Sequence, residues 1–102
     1  MPIYQIATYQ VNAAAVDRVK RAVDVFVQYV RTHEPGTRVY LAWQQKDDPT
    51  RFAHIFIFED DAAQTAHSQS DAVKAFQKVY SPELVGGRVI FTNYESVAGK
   101  GV

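Results

Sequence analysis

Apolar and polar positions change period several times along the chain, and each change predicts an element. IYQIATYQV (Ile3 to Val11) is β-branched and aromatic and predicts a strand, with Asn12 as the N-cap of a helix after it. Val16, Val19, Val23, Phe26, Val27 and Val30 then recur at helical spacing, with charge on the opposite face. Glu34-Pro35-Gly36-Thr37 stops that helix in a predicted type II turn, where glycine supplies a positive φ. VYLAWQQ (Val39 to Gln45) and RFAHIFIFE (Arg51 to Glu59) predict two strands joined by Asp47-Asp48-Pro49-Thr50. Two short helices come next rather than one: Asp61 with Gln64 and Ser68 with Asp71 each have capping-box spacing, so the helix restarts near Ser68. Val73, Phe76 and Val79 form the buried stripe of the second piece, which ends at Tyr80-Ser81-Pro82. RVIFTNYESV (Arg88 to Val97), reached through Gly86-Gly87, is the last predicted strand.

The order β-α-β-β-α-β, with no repeat or linker, predicts a single α+β domain over residues 1–102 with the ferredoxin-like split βαβ topology and a four-stranded antiparallel sheet. That topology places the first and third strands in the centre. In the third, Phe52, His54, Phe56 and Phe58 alternate with Ala53, Ile55 and Ile57, so both of its faces are apolar. The helices cover one face. The expectation for the other is a second copy of the chain, sheet against sheet, in a two-fold homodimer.

Composition narrows the partners. The chain is 47% hydrophobic and 22% charged, as ordinary globular domains are, and no apolar run reaches the length of a membrane span. Eleven Lys and Arg balance eleven Asp and Glu, and Arg18, Lys20, Arg21 and Arg31 alternate with Asp17, Asp24 and Glu34. Such mixing gives no basic stripe for nucleic acid. With no cysteine, disulfides, thiolate metal sites and thiol nucleophiles are excluded; the opening residues MPIYQIATYQ lack the pattern of a signal peptide, and a cytoplasmic location is the expectation. Three scattered histidines without H-x-x-x-H spacing predict no metal, and no glycine-rich phosphate loop points to a nicotinamide or flavin.

Three stretches carry a likeness that runs over nearly the whole chain: EPGTRVY before the second strand, DDPTRF opening the third, and FEDDAAQTAHSQSDAVKAF after it. The chain resembles the antibiotic biosynthesis monooxygenase family, whose members are dimeric α+β barrels. The resemblance implies either cofactor-free oxidation of electron-rich aromatics, such as quinols and polyphenols, by molecular oxygen, or, in a divergent branch, haem degradation. That branch ligates iron through a histidine at the position matched here by Gln77, and carries a tryptophan where this chain has His67. Glutamine is a poor axial ligand beside histidine, so the resemblance implies no haem and no other cofactor.

Within that frame His67 is the candidate catalytic base. It lies near the end of the first short helix, where small Ala63 and Ala66 are expected to leave room for a flat ligand. The alternative is a histidine that merely caps the junction between two helices. His54 reads as a neutral, hydrogen-bonded core histidine facing the same side as Phe52, Phe56 and Phe58, and as a candidate substrate contact. His33, beside Glu34, reads as a surface cap. Tyr9, Tyr40, Trp43, Phe76 and Tyr94 either fill the core or line a slot for a polycyclic phenol, the tyrosine hydroxyls orienting its oxygens. A non-catalytic protein that only holds such a ligand on the same barrel is the rival reading, with a structural dimer module without a cavity as the third.

Overall fold

In the computed structural model, which describes residues 1–101, the elements occur in the expected order. Strand β1 (Ile3–Gln10) passes through a 3₁₀ turn (Ala13–Ala15) into helix α1 (Val16–His33). Strands β2 (Thr37–Gln44) and β3 (Arg51–Phe58) form a hairpin, helices α2 (Asp61–Ser68) and α3 (Asp71–Tyr80) come after it, and β4 (Ile90–Tyr94) ends the sheet. The strand order is β2-β3-β1-β4 with every pairing antiparallel, so the first and third strands are central. This is the ferredoxin-like α+β architecture.

Strand alternation sorts the two faces. Phe52, His54, Phe56 and Phe58 are buried under the helices, and the residues paired with them on the neighbouring strands, Tyr9, Ala7 and Tyr40 among them, share that side. α1 contributes Val19, Phe26 and Val30 to this core, and α3 contributes Phe76 and Tyr80. The Phe26 and Phe76 rings stack at 5.2 Å across the two helices, and Tyr9 stacks on Phe52 at 5.4 Å. On the opposite face stand Ile6, Ile55, Ile57, Leu41, Trp43, Ile90 and Tyr94. Of these, Leu41, Trp43, Ile90 and Tyr94 are 44%, 59%, 54% and 52% exposed, a broad apolar surface with no helix over it.

The turns and element ends depart from the sequence pattern in five places. Asn12 does not cap α1: its side chain donates to Glu83 Oε1 at 3.3 Å, and a bond from Asn12 N–H to the Glu83 carbonyl (2.9 Å) fastens the end of β1 to the segment before β4. The first cap of the helix pair is Asp60, not Asp61: its Oδ1 accepts from the Ala63 N–H at 2.8 Å. The second is Ser70, not Ser68. Its hydroxyl donates to the His67 carbonyl (2.9 Å) and accepts from the Val73 N–H (3.1 Å), so one side chain closes α2 and opens α3. β4 is five residues long, shorter than the apolar run that predicts it. Tyr94 pairs with Tyr4, and two steps further along β1 stands Pro2, which has no N–H to offer a longer ladder.

The fifth departure concerns Gly36. Thr37 N–H closes the turn on the Glu34 carbonyl at 3.0 Å, yet the positive-φ residues among those described are Gly86, Gly87 and Gly101. The turn is therefore not type II, and Gly36 is required by space: a Cβ there would lie 2.7 Å from the Ala63 Cβ. Ala63 is small because the turn packs beneath it. Gly36→Ala should destabilise the fold by about 1–3 kcal/mol through overpacking. Urea denaturation of Gly36→Ala, Ala63→Gly and the double variant checks this: the double variant should recover part of the loss, giving a coupling above about 0.5 kcal/mol. Strict additivity would show that the two residues do not press on each other.

Candidate functional site

His67 lies in the last turn of α2, its carbonyl held by Ser70, and its ring points back into the core at 7% exposure. Its neighbours are aromatic: Phe58, Phe26, Tyr40 and Phe56 have ring centroids 5.1, 5.3, 5.5 and 6.2 Å away. The partner for its ring nitrogen comes from the other end of α1. Glu34, the C-cap of that helix, turns its side chain inward to 7% exposure, and Oε1 sits 2.7 Å from His67 Nδ1. Thr37 Oγ1 donates to the same oxygen at 2.9 Å, while Glu34 Oε2 is buried without a hydrogen-bond partner among the described residues. A carboxyl that accepts from Nδ1–H fixes the ring's orientation and tautomer, and leaves Nε2 as the acceptor nitrogen.

His54, 2% exposed on β3, is bracketed by phenols: the Tyr9 hydroxyl is 2.8 Å from Nε2 and the Tyr40 hydroxyl 2.7 Å from Nδ1. Burial, with a smaller contribution from His67, pulls its pKa down to about 4, so the ring is neutral at ordinary pH. Burial also pushes both tyrosine hydroxyls far above the usual phenol range, helped at Tyr9 by Tyr80 and at Tyr40 by Tyr9, Tyr80 and Glu34. The central polar groups are thus a carboxyl–imidazole pair and a neutral phenol–imidazole–phenol chain.

His67 and the phenol–imidazole–phenol chain border one cavity of about 120 Å³ between the helices and the sheet. Tyr9, Tyr40, His54, His67 and Phe76 line it together, with Ala7, Phe26, Phe56, Val73, Tyr80 and Val89. Its mouth is marked by the exposed lining residues Ser68, Gln77 and Phe91. Five of the seven residues expected at a site therefore converge. Trp43 and Tyr94 do not: both belong to the opposite, helix-free face, because Trp43 pairs with Ala53 and Tyr94 with Tyr4, which alternate away from the helices. Ala63 and Ala66 do not open the cavity either, since Ala63 packs on Gly36 and Ala66 is exposed. The small residue that makes room is Ala7, opposite His54 on β1. His67 is no surface cap; that description fits His33, whose ring is exposed and stacks on Tyr29 at 4.6 Å.

At about 120 Å³, below the roughly 150 Å³ that accommodates benzene, this cavity has room for no more than one ring. Among the described residues no three His, Cys, Asp or Glu side chains are grouped to hold a metal. Nor, among the described residues, is any helix long and apolar enough to cross a membrane.

The family model for antibiotic biosynthesis monooxygenases matches residues 2–79, more than half of the chain. The chain belongs to that family. Solved structures repeat the fold of this family member. It is similar to a protein described as an antibiotic biosynthesis monooxygenase, at 20% identity and TM-score 0.85, over 94% of this chain and 99% of that one. Rv0793 from Mycobacterium tuberculosis matches at 17% identity and TM-score 0.86, over 99% and 100%. PA3566 from Pseudomonas aeruginosa matches at 24% identity and TM-score 0.84, over 95% of each chain. No curated protein matches the sequence.

The site residue missed by sequence reasoning in this monooxygenase-family chain is Glu34, read there as part of a helix stop. One signal was available. A carboxylate at a helix C-terminus opposes the helix dipole, so an acid in that position wants a compensating partner.

The neutrality of His54 has a consequence for stability. Between about pH 6.5 and pH 4 the unfolded chain protonates this residue while the folded chain resists, so the unfolded state binds more protons and stability falls with pH. The contribution is complete above about pH 6.5 and is lost towards about pH 4, at most about 3 kcal/mol. Chemical denaturation across this range should show the loss in the wild type and a smaller one in His54→Gln. Equal slopes would mean that His54 protonates freely in the native state.

Proposed function

We propose that this chain oxidises a small, single-ring quinol or related phenol with molecular oxygen, using no flavin or metal, in the cavity between its helices and sheet. The observation that carries the reading is the Glu34–His67 pair on the wall of an aromatic cavity: with Nδ1 held at 2.7 Å by a buried carboxyl, Nε2 is left as a base. Membership of the monooxygenase family supports the reaction class.

Nε2 takes the proton of a ring hydroxyl, and Glu34 stabilises the imidazolium that forms. The resulting phenolate is reducing enough to pass electrons to oxygen. A dihydroxy ring that loses two electrons and two protons becomes a quinone, and oxygen that gains them becomes hydrogen peroxide. In the oxygenating variant the phenolate carbon bonds to oxygen, and the hydroperoxide loses water to leave a carbonyl; there too the substrate supplies both electrons. The walls exclude water and stack on the ring.

A two-fold dimer through the helix-free face belongs to the same reading. It would cover Leu41, Trp43, Ile90 and Tyr94 at once, giving Trp43 and Tyr94 an interface role in place of a substrate one. Sedimentation equilibrium at micromolar concentration should give twice the chain mass, and Leu41→Asp should give the monomer, because an unpaired buried charge costs several kcal/mol. A folded wild-type monomer would refute the dimer.

The base is tested by oxygen uptake on hydroquinone and substituted hydroquinones. His67→Gln should lower kcat by roughly 10²–10⁴. Glutamine is preferred to alanine because His67→Ala strands the Glu34 carboxyl and empties a site among four aromatic rings, at a cost of several kcal/mol. Full turnover in His67→Gln would exclude His67 as the base. Saturable binding of the quinols without oxygen uptake by the wild type would make the chain a binding protein.

A further inference from the structure

The base accounts for one proton, but a quinol gives up two, and the largest polar assembly on the cavity wall is not the Glu34–His67 pair. It is Tyr9–His54–Tyr40, with Tyr9 and His54 buried and Tyr40 partly so, bonded end to end at 2.8 and 2.7 Å. We infer that this chain of three side chains is a proton conduit that receives the second hydroxyl of a single-ring dihydroxy aromatic. The inference rests on the oxidation reading above.

The chemistry of a neutral imidazole leads to it. His54 has one N–H and one lone pair, so one tyrosine must donate to it and the other must accept from it. The accepting tyrosine keeps its own hydroxyl hydrogen free for a ligand. Exchange of the His54 tautomer swaps the two roles, so in either state one hydroxyl at the cavity is a donor and the other is already committed. All three side chains border the same cavity as His67. Because burial holds the phenols neutral and keeps the imidazole from becoming cationic, none of the three stores charge. A proton entering at one end must leave at the other.

The transfer balances. The second quinol hydroxyl gives its proton to Tyr40 oxygen as the Tyr40 proton moves to Nδ1. The Nε2 proton moves to Tyr9 oxygen, and the Tyr9 proton passes to the reduced oxygen. His67 returns the first proton, so that quinol plus oxygen gives quinone plus hydrogen peroxide. A cavity of about 120 Å³ has room for no more than one ring. A single ring that meets His67 with one hydroxyl and Tyr40 with the other is a benzenediol.

The test is oxygen uptake on hydroquinone and on 4-methoxyphenol, which lacks the second proton, with wild type, Tyr9→Phe and Tyr40→Phe. Tyr9→Phe keeps the ring that stacks on Phe52 and leaves Tyr40 facing the ligand. It should hold KM within about threefold and lower kcat on hydroquinone by roughly 10²-fold, the split expected of a group that acts in the transition state alone. Tyr40→Phe should raise KM as well. In mixtures of light and heavy water the wild-type rate should trace a bowed curve, the mark of several protons in flight, and Tyr9→Phe a straight line. Wild-type kcat in Tyr9→Phe, or equal turnover of hydroquinone and 4-methoxyphenol, would overturn the conduit and leave the base intact. No uptake by the wild type would overturn the oxidation reading and the conduit with it. Should Tyr9→Phe fail to fold, a straight wild-type line by itself refutes the conduit.

Discussion

A carboxyl group withdrawn from water must find donors, and at Glu34 they arrive from both directions along the chain: Thr37 three residues on, and His67 at the far end of α2. To be reached by both, the turn after α1 has to lie close beneath α2, and that closeness admits no side chain at position 36. The same turn delivers Thr37 opposite Phe58 and, past a bulge, Tyr40 opposite Phe56 and Ala42 opposite His54. One hydrogen-bonded carboxyl–imidazole pair thus sets the height of a helix, the start of a strand and the placement of a phenol. Releasing the carboxyl would leave a polar group buried and unpaired, which is why alternative paths for this turn are disfavoured.

The polar groups of the interior around it are answered in sets. Tyr9, His54 and Tyr40 satisfy one another, and Thr37, Glu34 and His67 do the same one layer away. Stacked rings separate the two sets from solvent: Tyr40 lies flat on Phe56 at 5.3 Å, and Phe76 on Phe26. In such surroundings hydrogen bonds are strong and errors in them costly, so the side chains at the cavity are held in one arrangement before any ligand arrives.

The order of elements and the central position of β1 and β3 were legible because they derive from period and from a strand apolar on both sides. The ends of elements were less so. Around α2 and α3 several adjacent residues offer cap-forming side chains, and the selection of Asp60 and Ser70 depends on where His67 must sit, which is tertiary information. The convergence of Tyr9, Tyr40, His54, His67 and Phe76 was within reach of the pattern. The exclusion of Trp43 was too: on one strand, Tyr40 and Trp43 are an odd number of residues apart and must face opposite ways. Glu34 was obscured by its setting, since an acid next to a proline-glycine turn looks like any solvated helix end until the partner across the fold is known.

Strand order carries a further consequence, for how the chain reaches this state. β1 leaves the ribosome first, yet its neighbours in the sheet are residues 51–58 and 90–94, so Tyr4 must wait for Tyr94. Pairings across such separations pay loop-closure entropy before they return any contact energy, which slows folding relative to a helical bundle of equal length. Throughout that interval an aromatic strand with both edges open is available to other nascent chains. The risk is greatest for molecules stalled before β4, and chaperone capture of such truncated chains is where this topology should be felt in the cell.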